Sequence, residues 1–339
     1  ERYTDIRTER AGAARSAVVD LEAARDNSTP VDWSTHDAVE PSYLGARTID
    51  DISVADLVDY IDWTPFFRTW DLAGGFPRIL DDEVVGGAAR ELHTDGLAML
   101  EQIVADDGLE VRAVAGFWPA QRVGDDIELF SDSSRSDVLA TLPMLRQQVG
   151  HGDGRPNFCL ADFIAPVGAG AKDHLGAFAV TTGHGVAERV RRFQEHHDDY
   201  QAIMLEALAD RLAEATAEHL HDRVRRELWG YQRQEFTNDE LIRERYEGIR
   251  PAPGYPACPD HRLKGTIFAL LSAGEAVGLE LTESYAMSPA AAVSGLYFSH
   301  PDSRYFGVRR VGRDQVVDYA ARTGASVEET ERWLAPVLA

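Results

Sequence analysis

The sequence predicts an α+β fold: a single large domain whose mainly antiparallel sheet is flanked by helices. Short apolar stretches in the middle of the chain are joined through Gly124-Asp125-Asp126, a tight-turn signal that suits antiparallel pairing. Helical and strand-like segments do not alternate strictly, which argues against a doubly wound parallel sheet. With 339 residues, 44% hydrophobic and 27% charged, the chain can bury a full core.

The elements follow in order. Residues 1–20 alternate Arg and Glu with small residues, as in Glu9-Arg10-Ala11-Gly12-Ala13-Ala14-Arg15, and read as a tether, leaving 21–339 as the domain. Asp26 to Pro41 is rich in turn formers and is expected to run irregularly over a surface. Ile52, Val54, Leu57, Val58 and Ile61 follow helical spacing up to Pro65, which places Asp62 at a helix end. A second amphipathic helix is predicted over 82–105, with Val85, Ala89, Leu92, Leu97, Leu100 and Ile103 inward. Strands are predicted at 111–117, 127–130 and 176–180. From Ala187 to Trp229 good helix formers run without Gly or Pro, predicting one long helix. After a Pro-rich break come a helix near 263–276, strands at 291–298 and 305–311, and closing helices, the last opened by Ser326-Val327-Glu328-Glu329 in the form of a capping box.

Charge narrows the function. A net charge of -23 repels phosphate backbones and acidic lipid, so no nucleic-acid or membrane partner is expected. Two cysteines, Cys159 and Cys258, are too few for a disulfide framework or a cysteine-based metal cluster and suit a reducing cytoplasm, although the pair could bridge. No stretch reaches the roughly 20 apolar residues of a membrane helix. The start, Glu1-Arg2-Tyr3-Thr4-Asp5, has neither an initiator Met nor a signal-peptide core, as a fragment or processed chain would.

The most distinctive run is Arg250-Pro251-Ala252-Pro253-Gly254-Tyr255-Pro256-Ala257-Cys258-Pro259-Asp260-His261. Its prolines exclude helix and central strand and leave a shaped loop. Arg250 offers a planar fork for a carboxylate, Gly254 permits close approach, and Tyr255 offers a flat face to a ring or cation. The chemistry alone also fits a rigid connector. Other motifs are weaker. Val167-Gly168-Ala169-Gly170-Ala171 lacks the third glycine and following helix of a nucleotide-binding turn and reads as a loop between strands. His196-His197-Asp198 and His219-Leu220-His221 point in different directions on a helix and read as solvated faces, while Cys258 with His261 supplies too few ligands for zinc.

This loop resembles the signature loop of the activation domain of cobalamin-dependent methionine synthase. Three further stretches resemble the same family: Tyr60-Ile61-Asp62-Trp63-Thr64-Pro65-Phe66-Phe67, Leu212-Ala213-Glu214-Ala215, and Gly295-Leu296-Tyr297-Phe298-Ser299-His300-Pro301-Asp302-Ser303. The resemblance runs from about Leu21 to Leu338 and implies a site for S-adenosylmethionine. On it, Arg250 holds the ligand carboxylate, the main chain around Ala252 meets the adenine, and Tyr255 lines the site. Asp62 receives the amino group, Glu214 lies near the methionyl part, and Tyr305 and Phe306 flank the transferable methyl. Taken singly, Asp62 also reads as a surface acid, Glu214 as a solvated helix residue and Tyr305 as a core strand aromatic.

The resemblance further implies a role in reductive remethylation of oxidised cob(II)alamin, with residues 1–20 leading from a cobalamin-binding domain. The partners implied are that domain and a flavodoxin-type or other electron donor, for which Arg189, Arg191 and Arg192 form a candidate docking patch. There is no Asp-x-His-x-x-Gly cobalamin motif and no cysteine set for the zinc of a homocysteine domain, so the fragment alone is expected to bind ligand without turnover, with no catalytic residue and no metal of its own. A stand-alone S-adenosylmethionine sensor and a small-molecule methyltransferase are the alternatives.

Overall fold

The computed structural model describes residues 18–339 apart from 35, 37, 107, 152 and 153. The tether reading of 1–20 therefore lies largely outside the described residues. Val18 and Val19 are already docked on the domain, Val18 bridging Val149 and the Val19 N–H donating to Gln148 O.

The strands of the main sheet are β1 (Gly45–Ile49), β2 (Arg112–Val123), β3 (Asp126–Phe130), β4 (Val138–Pro143), β5 (His174–Thr181) and β8 (Ala292–Tyr297). They are antiparallel throughout, in the order β4-β3-β2-β5-β8, with β1 also on β2. A two-stranded ribbon, β6 (Glu280–Leu281) with β7 (Met287–Ser288), stands apart. The expected hairpin forms: Val123 faces Asp126 across Gly124, whose φ of 62° is one that glycine adopts freely.

Strand β2 is longer than its apolar run suggests, because it passes through Pro119. It pairs with β1 over 113–117 and with β3 over 120–123, so Pro119 falls where the partner on that side changes and no N–H is needed.

Side chains alternate across the sheet. Ala113, Ala115, Phe117, Phe178 and Val180 enter one core with the helices Trp63–Thr69, Gly86–Ala105 and Asp199–Arg223. Val114, Trp118, Leu175, Ala177 and Ala179 enter another, beneath the helix Leu263–Leu271. Both faces being covered, all eight residues of β5 are buried.

Several expectations are corrected. The helix over 52–61 is two short turns, Val54–Leu57 and Val58–Tyr60, and Asp62 opens the next helix as its N-cap, accepting from Thr64 N at 2.9 Å. Pro65 is then tolerated in that helix's first turn, where its missing N–H has no partner to lose. In the second helix, which starts at Gly86, Leu97 is exposed while Gly96 and Met99 are buried. The long helix breaks at His196-His197-Asp198, where His197 has a φ of 58° and Asp198 caps a new start. The segment is therefore helix Val186–Glu195, helix Asp199–Arg223 and a π-helical turn Val224–Leu228.

His221 is fully buried and His219 is half-buried, so neither lies on a solvated face. The helix after the Pro-rich loop breaks at Ser272. Residues 305–311 form no strand but an irregular segment along the loop, so Tyr305 is not a strand aromatic. Arg191 and Arg192 both pair with Glu188, the solvated face of ordinary i,i+3 and i,i+4 pairs. Both cysteines are free and buried. Ser326 does cap the last helix, accepting from Glu329 N.

His174 and His300 carry a stability prediction. Burial holds both imidazoles at about 4, against 6.5 for an unconstrained ring. The unfolded chain thus binds protons in this window that the folded chain does not, and stability is lost as pH falls from about 6.5 towards 4. Asp173, raised by burial to about 6, works in the opposite sense, as do the raised carboxyls of Asp126, Asp210 and Glu244, while the lowered imidazoles of His93, His219, His221 and His261 add to the loss. Urea unfolding is expected to show a lower midpoint at pH 4.5 than at pH 7, with a flatter dependence in the H174N/H300N double variant.

Candidate functional site

The long helix Asp199–Arg223 brings Arg211, Glu214, Ala215 and Glu218 to one face by their i, i+3, i+4, i+7 spacing. Opposite lies the Pro-rich loop. It is fastened to the end of β8 by paired hydrogen bonds between Ile249 and Phe298, 3.0 Å each, and by Leu296 N donating to Pro251 O at 2.9 Å. Gly295 makes this possible, since a Cβ there would stand 2.8 Å from Pro251 O. The segment 305–308 lies along the loop, with Val308 N donating to Pro256 O and Tyr305 Oη accepting from Arg250 N at 3.0 Å.

Between helix and loop runs a groove of two adjoining lobes that share Glu214, Glu244 and Arg250. The smaller, about 270 Å³, is lined by Tyr60, Asp62, Arg211 and Glu218 among others. The larger, about 550 Å³, is walled by Phe178, Ala252, Tyr255, Val293, Tyr305 and Phe306. Phe178 is stacked on the buried Tyr297, ring centroids 4.7 Å apart.

Seven of the eight residues singled out from the sequence thus meet in this groove: Asp62, Glu214, Arg250, Ala252, Tyr255, Tyr305 and Phe306. Gly254 lines neither lobe. Its φ of 96° turns the loop, and the close approach it permits is to the His261 ring, which would lie 2.2 Å from an added Cβ.

The electrostatics are those of a cation-accepting groove with one anion-accepting fork. Four carboxylates, Asp62, Glu214, Glu218 and Glu244, face two guanidiniums, Arg211 and Arg250. Burial raises the Glu244 carboxyl, with Arg250 drawing it back, and burial keeps the Tyr255 and Tyr305 hydroxyls protonated. Arg250 Nη2 donates to Glu218 Oε2, while Arg250 Nε is buried with no hydrogen-bond partner among the described residues. No group of His, Cys, Asp and Glu able to hold a metal occurs among the described residues.

A family model described as vitamin B12 dependent methionine synthase, activation domain, matches residues 53–324. The chain belongs to this family of activation domains. It is also similar to a solved MetH reactivation domain bound to AdoHcy, with 53% identity, a TM-score of 0.91, and coverage of 95% of this chain and 98% of that one.

Sequence reasoning on this activation domain missed Arg211, Glu218 and Glu244. Glu218 was within reach, one helical turn beyond Glu214. Glu244 was not, because it stands at a φ of 53° after a five-residue helix and belongs to no periodic pattern. Gly254→Ala is expected to cost about 1–3 kcal/mol through backbone strain at positive φ, since the His261 ring can swing aside but the main chain cannot. Thermal unfolding of the variant checks this.

Proposed function

We propose that this domain binds S-adenosylmethionine in the groove and presents its methyl group for the reductive remethylation of oxidised cob(II)alamin carried on a neighbouring domain of the same enzyme. One observation carries the reading. A guanidinium with an open N–H edge, four carboxylates and an aromatic wall converge on one groove, matching a ligand that has a carboxylate, an ammonium, a sulfonium and a purine.

In this reading the open edge of Arg250 takes the ligand carboxylate, and Asp62 and Glu214 face the ammonium and the sulfonium. The loop main chain at Ala252 lies against the base, and Tyr305 and Phe306 flank the methyl. Cobalamin, held elsewhere, supplies the nucleophilic cobalt, so this chain orients the donor and excludes water and needs no general base of its own. The electron donor is of the flavodoxin type or similar.

Titration calorimetry with S-adenosylmethionine is the first test. Mixing with a separately prepared cobalamin domain under reducing conditions is the second, methylcobalamin being the expected product. Methyl transfer to a small molecule without cobalamin would replace this reading with a methyltransferase, and binding without cobalt methylation with a sensor.

A further inference from the structure

We infer that Glu218 is a positioning residue that sets the Arg250 guanidinium for a ligand carboxylate, an inference that rests on the S-adenosylmethionine reading of the groove. Glu218 is buried between two guanidiniums. Its Oε2 accepts from Arg250 Nη2, and its Oε1 stands 3.9 Å from Nη1 of Arg225 with no hydrogen bond of its own among the described residues.

Arg225 is fully buried and held firmly. It sits in the π-helical turn Val224–Leu228, donates to Asp222 at 2.9 Å, and lies 4.2 Å over the Tyr246 ring. Its Nη1 is also 3.2 Å from His221 Nδ1. A guanidinium can only donate, so His221 Nδ1 accepts, and its Nε2–H is left for the Tyr231 hydroxyl 3.2 Å away. His221 is thus neutral, as expected where burial, Arg225 and Arg250 all disfavour its charged form.

The result is a line of alternating charge: Asp222, Arg225, Glu218, Arg250 and then, in the groove, the ligand carboxylate. Two effects of Glu218 oppose each other. Its charge repels a second carboxylate, yet without it the buried Arg225 and the partly buried Arg250 face one another as like charges and Arg250 is driven from its place. Arg225 offsets the first effect and creates the second, so positioning wins. The Arg250 Nε–H, buried and without a hydrogen-bond partner among the described residues, marks the edge left for the ligand, because a buried donor in a native protein ordinarily has an acceptor.

The test uses S-adenosylhomocysteine and 5′-methylthioadenosine, which share the adenosine thioether and differ in the amino-acid arm. In calorimetry Glu218→Gln is expected to weaken S-adenosylhomocysteine ten-fold or more and to leave methylthioadenosine within two-fold. Glu218→Asp, which keeps the charge, is expected to recover most of the loss. Unchanged or tighter binding of S-adenosylhomocysteine by Glu218→Gln overturns the inference, as does an equal loss for both compounds or an aspartate variant no better than the glutamine. A wild-type domain that binds neither compound would instead refute the proposed function.

Discussion

Arg250→Ala is expected to weaken S-adenosylmethionine by about 2–5 kcal/mol, roughly thirty-fold or more, while the domain stays folded. Arg250 is the guanidinium shared by both lobes, and its uncommitted Nε–H faces no other acceptor among the described residues. The fold should survive, because Glu218 keeps a second buried cation, Arg225, 3.9 Å away, and the loop is fastened by main-chain bonds of Ile249 and Pro251 that do not involve the side chain. Calorimetry reads the affinity and thermal unfolding the fold. Undiminished affinity in a folded variant would remove Arg250 from the site.

Arg146→Met is expected to have the largest effect on stability, a loss of about 3–5 kcal/mol. Arg146 is 2% exposed and donates to Asp125 at 2.6 and 2.8 Å, to Asp162 at 2.7 and 2.8 Å, and to Asn157 O at 2.8 Å. Replacing it leaves two almost completely buried carboxylates whose remaining cationic partners among the described residues are Arg25 and Arg122 at the rim, with neutral donors from Thr29 and Cys159 N on Asp162. Buried charge without a partner costs far more than an exposed pair contributes, so Arg191→Ala, which breaks only the exposed pairs with Glu188 and Glu195, should leave stability almost unchanged. Denaturant unfolding of the two variants side by side checks the contrast. Similar losses would mean that the Arg146 cluster is no keystone.

Neither the Arg146 cluster nor the Arg250–Glu218 pair is visible in the sequence. Nothing near Arg146 in the chain signals burial, and its partners come from a hairpin turn and a 3-10 turn. Glu218 and Arg250 lie 32 residues apart, on a helix and a loop that share no local pattern. The helix break at Asp198 was legible in principle, since an aspartate cap precedes a new helical run. The run of helix formers around it concealed the signal.

By itself the sequence determined what depends on neighbours along the chain: the glycine hairpin between β2 and β3, the amphipathic helices, the capped last helix and a proline-bound loop that cannot be regular structure. Its resemblance to one family also named seven of the residues that meet in the groove. Tertiary structure alone decided that 305–311 forgoes a strand to lie along the loop and that Glu218 answers Arg250. Local period records which side of an element is apolar, but burial and charge pairing are set by which elements meet, and that is settled only when the sheet closes its two cores.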